Sequence, residues 1–384
     1  METLILGWYV LVETGSVRLL AVFGALMFFG ALVSPVFGLL GDRMGHRNLL
    51  RITRAAPVML ALAMLALILT GTLNAMLVLV VAALLSVARM ADLVTRYSLY
   101  GEIMPPGRLM SAMGLSRATV DSARVAGALA GAGMVASFGM GPAYIMIASL
   151  YSASLVLTFT GTAGHHGAAR RRAGRAAAPG RELREALAYV WTSPPLLAAA
   201  GFAFLVNLTG FPVFLGLLPY VAKEVYAAGQ TALGYMVAGF AFGSLLGSVL
   251  LSATRIAARA ERAMIIAGLI WYALLLVFAF VPGLAAGVAV LVLCGVAQSV
   301  SVTPIAVVML RHADEQFRGR VMGLRMLAIY GLPVGLLAAG PLIARFGFAA
   351  TAAAYALSGM MLTLWVAIHW RAALWNPETP ARAR

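Results

Sequence analysis

Long apolar runs, separated by short polar ones, constrain this chain more than any other feature. With soft boundaries they cover residues 3–15, 19–40, 55–70, 73–97, 109–137 and 143–161, and then 196–222, 232–251, 264–281, 284–310, 321–343 and 348–368. A bilayer core about 30 Å thick needs roughly 20 apolar residues per spanning helix. In lipid the backbone must satisfy its own hydrogen bonds, so such runs fold as helices. Composition agrees: 62% of residues are hydrophobic and 11% charged, against roughly 25% charged in soluble domains. The expected fold class is an all-α polytopic membrane protein with six plus six helices. Only residues 1–12 precede Glu13, roughly half a span, so the first helix is expected to be truncated.

Charge sets the expected topology. Arg43, Arg47, Arg51 and Arg54, then Arg108, then the set from Arg170 to Arg184, occupy alternate loops. Arg255, Arg259 and Arg262, then Arg311, Arg318 and Arg320, then the tail, continue the pattern. The positive-inside rule puts these loops and both termini in the cytoplasm, at an inner membrane. The net charge of +15 is therefore a topology signal, and no nucleic-acid partner is expected. Cys294 is the only cysteine, which excludes an intrachain disulfide. No G-x-x-x-x-G-K-S/T phosphate loop and no catalytic constellation is present, so the chain reads as neither an ATPase nor an enzyme, and no cofactor is expected.

The first half covers residues 1–162 and the second 195–370, with a linker at 163–194 and a tail at 371–384. Around Glu182-Leu183-Arg184-Glu185-Ala186-Leu187 the linker becomes amphipathic and is expected to form a short interfacial helix. His165 and His166 offer too few ligands for a metal site. The halves also resemble each other at an offset of 209, where Ala112-Met113-Gly114-Leu115 aligns with Val321-Met322-Gly323-Leu324. Parallel repeats of this kind place a substrate site between the halves near the midplane.

Gly38-Leu39-Leu40-Gly41-Asp42-Arg43-Met44-Gly45-His46-Arg47 resembles the loop signature of the major facilitator superfamily between its second and third helices. The resemblance implies the major facilitator fold, two six-helix bundles, and secondary transport of a small molecule. It also implies that Asp42, with Gly38, Arg43, Gly45 and Arg47, latches the cytoplasmic side. Physically, the glycines permit close approach and a tight turn, and Asp42 can meet a helix N-terminus. Arg318-Gly319-Arg320, with Tyr330-Gly331-Leu332-Pro333 and Thr14-Gly15-Ser16, is similar to the branch of enterobactin exporters, macrolide efflux proteins and transmembrane secretion effectors. That branch implies export, of substrates that vary widely. The G-P-x-x-G-G pattern of superfamily antiporters is matched only by Gly127 and Gly131, without its proline, which weakens the antiporter reading.

Charge also lies within the apolar runs. Arg89, Asp92 and Arg96 share one face of the fourth segment, and Arg117, Asp121 and Arg124 share one face of the fifth. In an antiparallel hairpin these sets lie at matched depths. Intramembrane charges cost at least about 2.5 kcal/mol each near the centre unless paired or wetted. Two readings follow: a site for an anionic group or proton-linked carboxylate, and a structural ion-pair clamp. At the offset of 209, Arg89 corresponds to Gln298 and Asp92 to Ser301. These two, with Asn207, are candidate polar groups of the cavity, though each could equally form an interhelical hydrogen bond. Trp8, Tyr9, Phe28, Phe202 and Trp271 are expected to pack or to face lipid.

The resulting expectation is a monomeric, proton-driven exporter of an amphipathic or anionic small molecule, with membrane lipids as its surroundings. Uptake of an anionic solute or lysophospholipid, or a non-transporting scaffold, are the alternatives.

Overall fold

The computed structural model describes residues 1–31, 33, 37, 44, 46–103, 106–161, 179–253, 259–314 and 317–375. Among them the regular secondary structure is helical throughout. The chain opens with α1 (Glu2–Thr14), α2 (Val17–Leu26), α3 (His46–Leu69), α4 (Ala75–Ile103), α5 (Pro106–Phe138) and α6 (Met140–Gly161). The linker carries α7 (Pro179–Thr192), after which α8 begins at Pro194–Leu205. Then come α9 (Gln230–Ala253), α10 (Ala260–Phe280), α11 (Leu284–His312), α12 (Arg318–Leu327), α13 (Gly331–His369) and α14 (Arg371–Trp375). Eight described helical stretches are long and apolar enough to cross a membrane.

Local chemistry explains where the helices end. Gly15 closes α1 in the left-handed conformation at φ 60°, which a residue without Cβ adopts without strain. Ser16 then caps α2 by accepting from the Leu19 N–H at 3.3 Å. The Asn74 side chain does the same for α4, accepting from Leu77 N–H at 2.9 Å. Gly347, at φ 81° and ψ 169°, turns α13 back on itself, so this element supplies two apolar segments.

Beyond Leu205, α8 winds through three π turns, Val206–Gly210, Val213–Leu217 and Val221–Val225. Single π turns concentrate at functional positions in helices. The first of them holds Asn207.

The fold divides into two compact units. One comprises Met1–Arg172 with Pro219–Ala238, the other Ala173–Leu218 with Gly239–Arg384. In each, glycines bring two helix backbones into direct contact. Gly30, just after α2, leaves no room for a Cβ against the Ser86 carbonyl of α4, and its N–H donates to Ser86 Oγ at 2.6 Å. In the second unit, Gly243 of α9 meets the Val292 carbonyl of α11, and Gly295 of α11 meets the Phe240 carbonyl of α9. At the offset of 209, Ser86 falls on Gly295, so the same pair of segments touches in each half. Such small-residue seams let dispersion and weak Cα–H···O contacts hold helices together without a hydrophobic driving force.

The linker helix α7 is docked rather than loose. Tyr189 stacks on Phe317 with ring centroids 4.2 Å apart, and its Oη accepts from the Asp314 N–H at 3.0 Å. Its opposite face exposes Arg184, Leu187 and Trp191, a stripe at spacings of three and four residues.

The seams predict an asymmetry between glycines. Gly243→Ala should destabilise the protein by about 1–3 kcal/mol through overpacking. Gly133→Ala, in open space within α5, should be neutral or stabilising by about 0.5–1 kcal/mol. Thermal melts of the purified variants check both.

Candidate functional site

Polar groups in the first unit form two clusters. The first surrounds Glu2, at the start of α1 and only 6% exposed. Tyr151 of α6 donates its hydroxyl to Glu2 Oε2 at 2.6 Å, while Glu2 Oε1 is buried without a hydrogen-bond partner. Tyr144, one helical face along α6 and fully buried, likewise has no partner for its hydroxyl. Arg89 of α4 reaches this corner, its Nη2 within 3.4 Å of Thr3 Oγ1. Met1 packs against Gly127 and Gly131 of α5. The small residues that resemble an antiporter pattern therefore accommodate α1 closely.

The second cluster centres on Asp92. Arg54 Nε of α3 lies 2.5 Å from Asp92 Oδ1, and Arg96 Nη2, one turn along α4, lies 3.7 Å from Oδ2. Arg54 also donates through Nη1 to Ser154 Oγ of α6. One carboxylate thus joins three helices. Arg51, a turn before Arg54, rests over the Phe159 ring at 5.1 Å, a cation–π contact that suits a partly desolvated guanidinium.

This geometry divides the predicted ladder. Arg89 belongs with Glu2, whereas Asp92 and Arg96 belong with Arg54. Arg124 of α5 is exposed. The side chains of Arg117 and Asp121 lie outside the described residues, as do Gly38, Asp42, Arg43 and Gly45 and the side chain of Arg47. Arg318, Gly319 and Arg320 form the first turn of α12, and the arginine side chains also lie outside the described set. His165 and His166 are outside it too, and among the described residues no three metal-ligating side chains gather.

The second-unit candidates separate in a different way. Ser301 is fully buried and donates to the Met264 carbonyl of α10 at 2.9 Å. It joins α11 to α10 through the interhelical hydrogen bond that was one of its two readings. Half-buried Gln298 accepts through Oε1 from Ser244 of α9 at 3.1 Å. Asn207 donates Nδ2 to the Ala203 carbonyl at 2.8 Å, from within a π turn. Gln298 and Asn207 are both half-buried.

Glu2 lies just outside the first apolar run, which starts at Thr3, and the sequence alone leaves it as a terminal residue. Its signal was a carboxyl next to that run, in a chain with few acids.

The arrangement is that of a membrane carrier, with helices fitted by glycine seams, intramembrane ion pairs and no catalytic grouping among the described residues. The chain belongs to the Major Facilitator Superfamily, whose model matches residues 3–259. It is a multi-pass membrane transporter. Its fold is similar to that of the crystal structure of nucleoside transporter NupG, with a TM-score of 0.67 and 14% identity over 97% of this chain and 94% of that one. It is also similar to a bacterial homologue of the human lysosomal transporter Spinster, in an inward-facing and unoccupied conformation. There the TM-score is 0.68 and the identity 12%, over 97% and 93% of the two chains. At these identities the likeness concerns fold. No curated protein sequence matches the chain.

The Asp92 cluster predicts measurable coupling. In a double-mutant cycle with Arg54→Gln and Asp92→Asn, the interaction energy should be about 1–2 kcal/mol, between the values for exposed and fully buried pairs. Denaturation of the four proteins in one detergent checks it.

Proposed function

We propose that this transporter is a proton-driven exporter of an amphipathic or anionic small molecule, working by alternating access. In this reading it is a monomer in the inner membrane, with six-helix bundles at 1–162 and 195–370 and both termini cytoplasmic. The observation that carries the proton coupling is the Glu2 carboxyl. An ionised carboxylate in the membrane interior costs several kcal/mol unless it is paired on both oxygens. Glu2 has Tyr151 on one oxygen and no hydrogen-bond partner on the other. The cations that face it are Arg89 and the Met1 ammonium, and its charge is met by these or by a proton. A group with two such states, reached from opposite sides as the bundles rock, is what proton coupling requires.

Asp92 contrasts with it, because two guanidinium groups already neutralise it. We assign it the clamp. Orientation rests on the alternation of basic loops, and export on the resemblance carried by residues 318–333 and 14–16.

A second reading, uptake of an anionic solute or lysophospholipid, is favoured by the exposed side chains of Arg89 and Arg124.

Everted vesicles containing the protein test both readings, with salicylate and taurocholate as probes and a fluorescent reporter of the proton gradient. Addition of a transported probe should dissipate the gradient in wild type. Glu2→Gln should lose that response while retaining counterflow within about twofold. A Glu2→Gln protein that still dissipates the gradient would sink the proton role. Probe movement accompanied by no dissipation, or with the gradient rising, would favour uptake.

A further inference from the structure

A cavity of about 210 Å³ lies in the first unit, lined by none of the residues of the two charged clusters. It forms where helices end at the Gly15 and Gly139 turns. Ile5, Trp8, Tyr9 and Val12 line it from α1. Their spacing of three, four and seven residues places all four on one helical face. Val135 and Met140 close it from the facing ends of α5 and α6.

Polar groups reach this largely apolar lining from three side chains, the Trp8 indole, the Tyr9 hydroxyl and the amide of Gln230, the first residue of α9. Gln230 is 8% exposed, and its Nε2 is buried with no hydrogen-bond partner. The Tyr9 hydroxyl is committed elsewhere, donating to the Leu73 carbonyl at 3.0 Å. Tyr9 therefore offers its ring and not its oxygen. Trp8 and Tyr9 are half-buried.

We infer that this cavity is a binding site for a flat aromatic compound bearing one hydrogen-bond acceptor, with a ketone or amide carbonyl received by the Gln230 amide. Three observations lead there. A mostly apolar cavity fixes orientation through its few polar groups, and among these the Gln230 Nε2 is the buried one without a partner. A buried donor without a partner favours any occupant that supplies an acceptor. Aromatic faces on one side and aliphatic or thioether groups on the other suit a planar ring system. No charged side chain lines the cavity, so the occupant is neutral at this end. The site concerns equilibrium binding and stands whether or not export is the correct direction of transport.

The selectivity follows from the donor. A site with a buried N–H discriminates against an analogue that lacks the acceptor, because binding the analogue leaves the N–H unpaired. A cavity that merely holds water would show no such preference.

The test uses the full chain in lipid nanodiscs and two probes of nearly equal shape, 2-acetylnaphthalene and 2-ethylnaphthalene. Equilibrium dialysis against empty nanodiscs removes partition into lipid. Wild type should bind the ketone saturably and about tenfold more tightly than the hydrocarbon. Gln230→Leu should reduce that ratio to about one without weakening the hydrocarbon. Val135→Trp, which fills the space, should abolish saturable binding of both. Equal affinity of wild type for the two probes overturns the proposal. So does a preference that survives Gln230→Leu, or binding no greater than to empty nanodiscs. The comparison of probes on wild type decides the matter even if a variant fails to fold.

Discussion

Helices in lipid gain nothing by hiding apolar side chains from one another, since the tails are equally apolar. What holds this protein together is therefore contact, closest where Gly30 meets Ser86 and where Gly243 and Gly295 interlock. Both seams join the helix that follows the first turn of its half to the helix two further on. Other elements fit around them. Gly331 and Gly335 of α13 repeat the device against the backbone of α8 at Phe204 and Leu208. That contact brings the π turn at Asn207 against another helix.

Polar groups are then distributed according to whether their charge is met. Asp92 sits between Arg54 and Arg96 and also ties α6 in through Ser154. Ser301, Ser244 with Gln298, and Thr209 with Tyr272 link helices of the second unit by hydrogen bonds. Such bonds are individually modest in membranes. They are also local, and none demands that the protein change shape. Glu2 and Gln230 differ, because each keeps a buried polar atom unmatched. Unmatched groups in a well-fitted interior are where a ligand, a proton or a moving side chain has something to gain.

Much of the architecture was legible because its physical cause is periodic. Apolar runs near the length of a bilayer marked the spans, and the breaks between them coincide with the positive-φ turns at Gly15 and Gly347. Partnerships were harder to read. Arg54 was counted among the loop arginines as a topology marker, yet it pairs with Asp92, thirty-eight positions away. Nothing in its spacing points to α4. Ser301 aligned with a charged residue of the first half, but alignment carries position without environment, and there it is sealed by Met264. The π turns of α8 follow no apolar periodicity in the sequence. Trp8 and Tyr9 have the composition of packing residues, and only the ends of α5, α6 and α9 reveal the space beside them.

The clamp at Asp92 has an electrical consequence. One carboxylate between two guanidinium groups leaves a net positive charge of one, on helices that span the membrane. Carrying a unit charge through the full transmembrane field takes about 2.3 kcal/mol per 100 mV. Any rearrangement that shifts α3 and α4 along the membrane normal therefore does electrical work, even when no ion crosses. An interior-negative potential draws this charge toward the inner face, and the balance between the protein's conformations then depends on membrane voltage as well as on its cargo.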